Sequence, residues 1–403
     1  MDTKRLEANI WKYALLLIAN KRVFVAIFGA YYLTVPGVTP QVIGIIMLAG
    51  SLAGFIFEIP SGYMSDKVGH KRAIVISRIL MIISTLFFLF ANSIPFLILG
   101  GVFLSASTAF LSGTGSAFLH ETLRYLNREH EYAKVAGKVS AIGFAIPVVF
   151  MVLVPFLVSI SYKIPFIIGL VIDVIGLVAA ISLITPPLPQ EETAEIKVTN
   201  FKQVIRAGYK LNFFSIALFS GIISGTLFGI SGFRAPYQLF LEIPVIWYGV
   251  LFGIGRLLAS LMLAYSGSLK KLTTLSSFYG LQLIIFSTLF IALGVIGTWW
   301  IVAIIFIIIN AFNWGLSKID EGYQLDIIKS SKFKATLLST GSQIDQVFSA
   351  ISSFGFGFLI ERVSYQYGFL YVGIIFLAIL IPLYVYITLK YKKGAYNTFS
   401  FVS

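Results

Sequence analysis

The sequence has no cysteine, which excludes disulfides and thiolate metal sites. Its three histidines, His70, His120 and His130, are too few for a His-rich metal centre. Charge is equally sparse: Asp, Glu, Lys and Arg make up 12% of the 403 residues, against roughly a quarter in a soluble chain. No Walker A sequence is present, so direct use of ATP is excluded. Nor does a cleavable leader pattern open the chain, and MDTKRLEANIWKY is expected to be a retained cytoplasmic start.

What is abundant is apolar length. The chain is 58% hydrophobic with a mean hydropathy of +0.91. Apolar runs of about 20 residues recur, each long enough to cross a ~30 Å hydrocarbon core as a helix. This composition predicts an all-α, multi-pass membrane protein. Twelve spans are drawn at 13–35, 41–63, 72–92, 95–122, 138–160, 164–185, 212–234, 244–267, 272–294, 297–317, 335–360 and 366–389. The first is drawn as one helix from Tyr13, carrying Lys21 and Arg22 inside; its rival is a surface helix that breaks at Asn20.

The net charge of +13 points to a membrane surface and not to nucleic acid, because of where it lies. With the N-terminus placed inside, most Lys and Arg fall on cytoplasmic segments, and only Lys163, Arg234 and Arg362 fall outside. That bias puts both termini in the cytoplasm. The longest internal link, PPLPQEETAEIKVTNFKQVIRAGYKL, falls midway and holds a basic amphipathic helix with Lys202, Arg206 and Lys210 on one face. The chain therefore divides into a bundle over 1–185, a linker over 186–211 and a bundle over 212–403. SYKIPFII at 161–168 and SYQYGFLY at 364–371 repeat about 200 residues apart, as two homologous halves would.

Ionisable residues within spans are costly and are functional candidates. Glu58 and Arg78 lie at matching depths on consecutive spans, which predicts a structural ion pair. Lys21 and Arg22 are the candidate partners of Asp173 in span six. Arg256 and Asp345 lie ~16 Å from the cytoplasmic ends of their spans, at ~1.5 Å per residue, with Gln343 and Gln346 beside Asp345. They read either as a pair with each other or as contacts for substrate and proton, and function is favoured. Glu121, next to His120, is a further proton-coupling candidate or a member of a salt-bridged gate. Asn310, Asn313 and Trp314 on span ten, with Tyr31 and Tyr32 on span one, suit an amphipathic organic ligand. Trp247, Trp299 and Trp300 read as an interfacial belt.

One polar knot interrupts the apolar pattern: GYMSDKVGHKR, between spans two and three. It resembles motif A of the major facilitator superfamily, supplying Gly62, Asp66, Gly69, Lys71 and Arg72, with His70 in place of the usual first basic residue. ETLRYLNREHEYAKVAGKV and FKATLLSTGSQ resemble a bacterial exporter subgroup of that superfamily. The resemblance implies two six-helix bundles around a central cavity lined by spans 1, 4, 7 and 10. It also implies that Asp66 caps the start of span eleven. The second motif A copy is eroded to GSLKKL, and the antiporter motif of span five keeps only Gly143 and Pro147.

The function expected is secondary transport of a small organic solute by a multi-pass protein of the inner (plasma) membrane. Proton-coupled export of an amphipathic compound leads, and uptake of an anionic metabolite is the alternative. A transport-inactive sensor or scaffold is a third reading, and an intramembrane enzyme is disfavoured for lack of a nucleophile–base pair. The partners implied are the lipid bilayer, a small-molecule substrate and protons, for a monomer without cofactor.

Overall fold

The computed structural model describes residues 3–112, 114–186, 201–328 and 334–392. All regular structure among them is helical. The chain divides into two compact units, Met1–Ala194 with Ile243–Gly253, and Glu195–Glu242 with Ile254–Ser403. The first break falls inside the expected linker, of which 187–200 lie outside the described residues. The segment 243–253, expected in the second half, groups with the first unit.

The first unit runs through α1 (Thr3–Ala19), α2 (Phe28–Tyr32), α3 (Pro40–Val68), α4 (His70–Leu89), α5 (Ile94–Leu111), α6 (Thr114–Tyr125), α7 (Tyr132–Leu153) and α8 (Lys163–Ser182). The second holds α9 (Phe201–Lys210), α10 (Phe213–Ile230), α11 (Arg234–Phe240) and the later turns of α12 (Ile246–Ala264). It continues through α13 (Ser266–Lys271), α14 (Leu275–Val295), α15 (Trp299–Gly315), α16 (Ser317–Ile328), α17 (Lys334–Arg362) and α18 (Tyr365–Lys392).

Among the described residues, ten stretches are long and apolar enough to cross a membrane. Two of the drawn spans are missing from that set, for different reasons. The eleventh, α17, is unbroken over 29 residues, but Thr340, Ser342, Gln343, Asp345 and Gln346 dilute its first half. The first is not one helix. α1 ends at Ala19, where the Arg22 side chain turns back and donates to the Ala19 carbonyl at 2.7 Å. A cation on the last carbonyls of a helix satisfies orphan acceptors and complements the dipole. The break falls at Asn20 and separates α1 from α2.

Five more drawn spans are interrupted: α5 from α6 after Leu111, α7 at the 3-10 segment Val154–Ser159, α10 from α11 at Ser231–Phe233, α12 from α13 at Tyr265, and α15 from α16 at Leu316. Helix starts also recur at a fixed offset. His70 and Leu275, Ile94 and Trp299, and Lys163 and Tyr365 are each roughly 200 residues apart, as internal repeats require.

Small residues set the closest packing. On α10, Gly221, Gly225 and Gly229 face α17 so closely that a Cβ on Gly225 would lie 2.4 Å from the Asp345 carbonyl oxygen. Spacing of this kind lets helix backbones approach in lipid, where apolar burial alone does not drive association. In the first unit α5 packs against both α3 and α4, which touch each other far less. Ser61 donates to the Ala109 carbonyl at 3.0 Å and Ser77 to the Ser107 carbonyl at 2.8 Å. The α3–α4 turn is a single residue, Gly69, at φ +101°, which a side chain would strain.

Candidate functional site

The buried carboxylate of the first unit's α8 is neutralised. Arg22 grips fully buried Asp173 of α8 with both arms of its guanidinium, at 2.8 Å and 2.5 Å. Thr85 of α4 donates to the same carboxylate at 2.6 Å. Such a fork is among the stronger side-chain contacts available. Lys21, the other candidate partner, lies 4.3 Å from the centre of the Phe144 ring instead.

The expected Glu58–Arg78 pair is not formed. Arg78, fully buried, donates from Nη2 to Asn20 Oδ1 at 2.8 Å, while Glu58 accepts from Ser112 at 3.3 Å. The reason is α5, which takes the place beside α3 that the sequence had given to α4. Tyr31 and Tyr32 are also not ligand-facing. Both are 3% exposed, and Tyr31 packs at a tilt against Phe166 with ring centres 4.3 Å apart and donates to the Phe88 carbonyl at 2.5 Å.

At the motif, Gly62 lies on α3, Gly69 makes the turn, and Lys71 and Arg72 open α4. The Asp66 side chain and the side chains at 334–336 lie outside the described residues, and so does the cap expected between them. His70 bridges two elements: its Nδ1 meets Ser65 Oγ at 2.8 Å and its Nε2 meets Glu121 of α6 at 3.0 Å. Glu121 thus pairs with His70 and not with His120, which meets Glu129 at 3.2 Å.

The second unit contains a cavity of about 350 Å³. Its walls come from α10 (Ser220, Ser224), α14 (Gln282, Phe286), α15 (Phe312, Asn313), α16 (Asp320, Gln324) and α17 (Ser342, Asp345). Asp320 accepts from Ser220 at 2.7 Å and from Tyr279 at 2.8 Å on one oxygen, and from Gln324 at 2.8 Å on the other. Donation from all three partners suits a carboxylate, which is acceptor-only. Asp320 also lies in the first turn of α16, where the helix dipole favours negative charge. Asp345 lies against Ser224, whose hydroxyl donates to the Ser220 carbonyl at 2.9 Å. Among the described residues the lining includes Asp320, Glu321 and Asp345 but no Lys or Arg.

The Major Facilitator Superfamily model matches residues 13–318 of this chain. The chain belongs to the Major Facilitator Superfamily. A relative, "Uncharacterized transporter BU466" of Buchnera aphidicola subsp. Acyrthosiphon pisum (strain APS), is 32% identical over 123 residues. That match spans 30% of this chain and 31% of the relative's own length. The crystal structure of the nucleoside transporter NupG superposes with a TM-score of 0.72 at 12% identity, covering 96% of this chain and 99% of that one. A bacterial homologue of the human lysosomal transporter Spinster, in an inward-facing and unoccupied conformation, gives 0.74 at 16% identity over 99% and 98% of the two chains. At these identities the likeness shows the fold. The protein is a multi-pass membrane member of the superfamily.

Of the site residues expected in this superfamily member, Asp345 and Asn313 line the cavity. Gln343 and Gln346, on other positions of α17, do not line it, and neither do Asn310 and Trp314. Arg256 is not in the lining either. Its guanidinium lies 4.1 Å from the centre of the Trp314 ring, a cation–π contact between α12 and α15. Gly255 allows that approach, since a Cβ there would meet Asn310 Nδ2 at 2.7 Å. Asp320 was missed by the sequence reading because span ten was ended at residue 317. The signal was present in buried Ile319, Tyr323 and Ile327, an i, i+4, i+8 stripe that marks a packed helix after the break.

Proposed function

We propose that the protein is a secondary active transporter of the inner (plasma) membrane, moving a small organic solute by alternating access. Proton-coupled export of an amphipathic compound is the reaction favoured. The observation that carries this reading is the second-unit cavity. Its size falls within the ~300–1,000 Å³ of small-molecule sites, and its wall joins apolar side chains to convergent polar and acidic groups. Asp345, against a neutral hydroxyl, is the proposed carrier of the coupling proton. Export draws on the similarity of ETLRYLNREHEYAKVAGKV to exporter sequences, and Asp66 is proposed to brace α17 during the cycle. Uptake of an anionic metabolite loses its main support, because Arg256 is engaged with Trp314 outside the lining.

Flux in proteoliposomes under an imposed pH gradient, run against a compound panel, tests this. Asp345→Asn is expected to abolish gradient-driven accumulation and to spare exchange without a gradient. Accumulation unchanged in that variant contradicts the proposed role of Asp345, and no gradient-driven flux of any compound by the unmodified protein contradicts the transport reading.

A further inference from the structure

We infer that the second-unit cavity is a binding site for organic cations, with Asp320 as the anchoring carboxylate. The inference rests on the transport reading above and adds the class of substrate. Three features of the wall carry it.

The first is charge without neutralisation. Every hydrogen bond given for Asp320 comes from an uncharged donor: Ser220, Tyr279 and Gln324. Asp345 brings a second carboxylate to the same space. Glu321, the third, is balanced by Lys318 at 2.5 Å, while no cation of the described residues enters the lining. A unit charge ~4 Å from a carboxylate is worth several kcal/mol at the effective dielectric near a protein surface. A cationic ligand therefore gains here, and an anionic one is repelled by the same field.

The second is Gln282 of α14. It is 6% exposed, lines the cavity, and its amide makes no hydrogen bond with any described residue. Its amide atoms are reachable from the cavity space and not sealed in the packing. A ligand or its hydration that presents a donor or acceptor there gains a hydrogen bond. In this wall Gln282 and Asn313 are polar groups poised for that role.

The third is the apolar part of the wall. Phe286 and Phe312 present rings to the same space, and aromatic faces attract ammonium groups. A cavity of about 350 Å³ is far larger than a bare metal ion needs and fits an organic skeleton carrying the charge. Two carboxylates then divide the work. Asp320, held by three donors, receives the cation, and Asp345 exchanges the proton that drives it.

The chain's lack of cysteine permits a test that needs no knowledge of the natural substrate. Ser224→Cys and, at a second wall position, Ser342→Cys each place one thiol in the cavity. Each variant is reacted with a trimethylammonium, an uncharged and a sulfonate methanethiosulfonate, and rates are normalised to those of a free thiol. The expected result is a cation-over-anion preference of about tenfold or more, roughly 1.4 kcal/mol, that collapses when Asp320→Asn is added. A preference equal to that of a free thiol, or one favouring the sulfonate, overturns the inference. So does a preference that survives Asp320→Asn, or a thiol that none of the three reagents reaches in either variant. Labelling is read without transport. A cation preference without flux refutes the transport reading alone, and flux without the preference refutes only the cation site.

Discussion

Asp173 in the first unit and Asp345 in the second both lie on helices drawn as spans, yet their surroundings differ in kind. Asp173 is gripped by Arg22, reinforced by Thr85, and fully buried. Asp345 stands in a cavity wall beside Ser224, with a second acid, Asp320, across the same space. A carboxylate locked to a guanidinium fixes where two helices meet. One that faces a cavity among neutral donors is available to a proton or a ligand. The difference assigns architecture to the charges of the first unit and chemistry to those of the second.

The comparison breaks most visibly if Arg22 is removed. Arg22→Ala strands Asp173 and uncaps α1, so a loss of about 3–5 kcal/mol is expected, read as a lower unfolding midpoint and folded yield. Replacing both partners with apolar residues, Arg22→Met with Asp173→Leu, should recover most of it. Gly225→Ala attacks the second unit's frame by driving a Cβ into the Asp345 carbonyl. It is expected to cost about 1–3 kcal/mol, as overpacking does, and to lower transport, measured by unfolding and flux on one preparation.

Asp320→Asn should separate the two kinds of role. Flux of an organic cation is expected to fall by about tenfold or more, roughly 1.4 kcal/mol, with the unfolding midpoint little changed. Gln282→Leu should weaken apparent affinity by about 0.5–1.5 kcal/mol, the worth of one hydrogen bond. Glu58→Gln should do least, within about 0.5 kcal/mol of the unmodified protein, since among the described residues the Glu58 carboxylate has only Ser112 for a hydrogen-bond partner. A large loss there, seen in thermal unfolding, would restore the structural role first given to Glu58.

Much of the fold is legible in the sequence because apolar length and repeat offsets are one-dimensional signals. The run from Ile94 and the run from Trp299 announce themselves, and so does the glycine at the α3–α4 turn. Pairing is not one-dimensional. Glu58 and Arg78 match in depth, but depth does not reveal that α5 lies between their helices. The break at Asn20 depends on Arg22 reaching both the Ala19 carbonyl and Asp173, two contacts fixed only when α8 is in place. Asp345 was visible as a charge in an apolar run. Asp320 was hidden because the break at Leu316 ends the apolar pattern before the helix that carries it.

The contrast between the two acids reduces to one measurement: the thermal unfolding midpoints of Asp173→Asn and Asp345→Asn, side by side in the same detergent. The account predicts that Asp173→Asn unfolds several degrees below the unmodified protein, because Arg22 loses its counter-charge in a buried site. It predicts that Asp345→Asn unfolds at or above the unmodified midpoint, because a charge without a cation has been removed from the wall. Equal losses in the two variants, or a greater loss in Asp345→Asn, would contradict it.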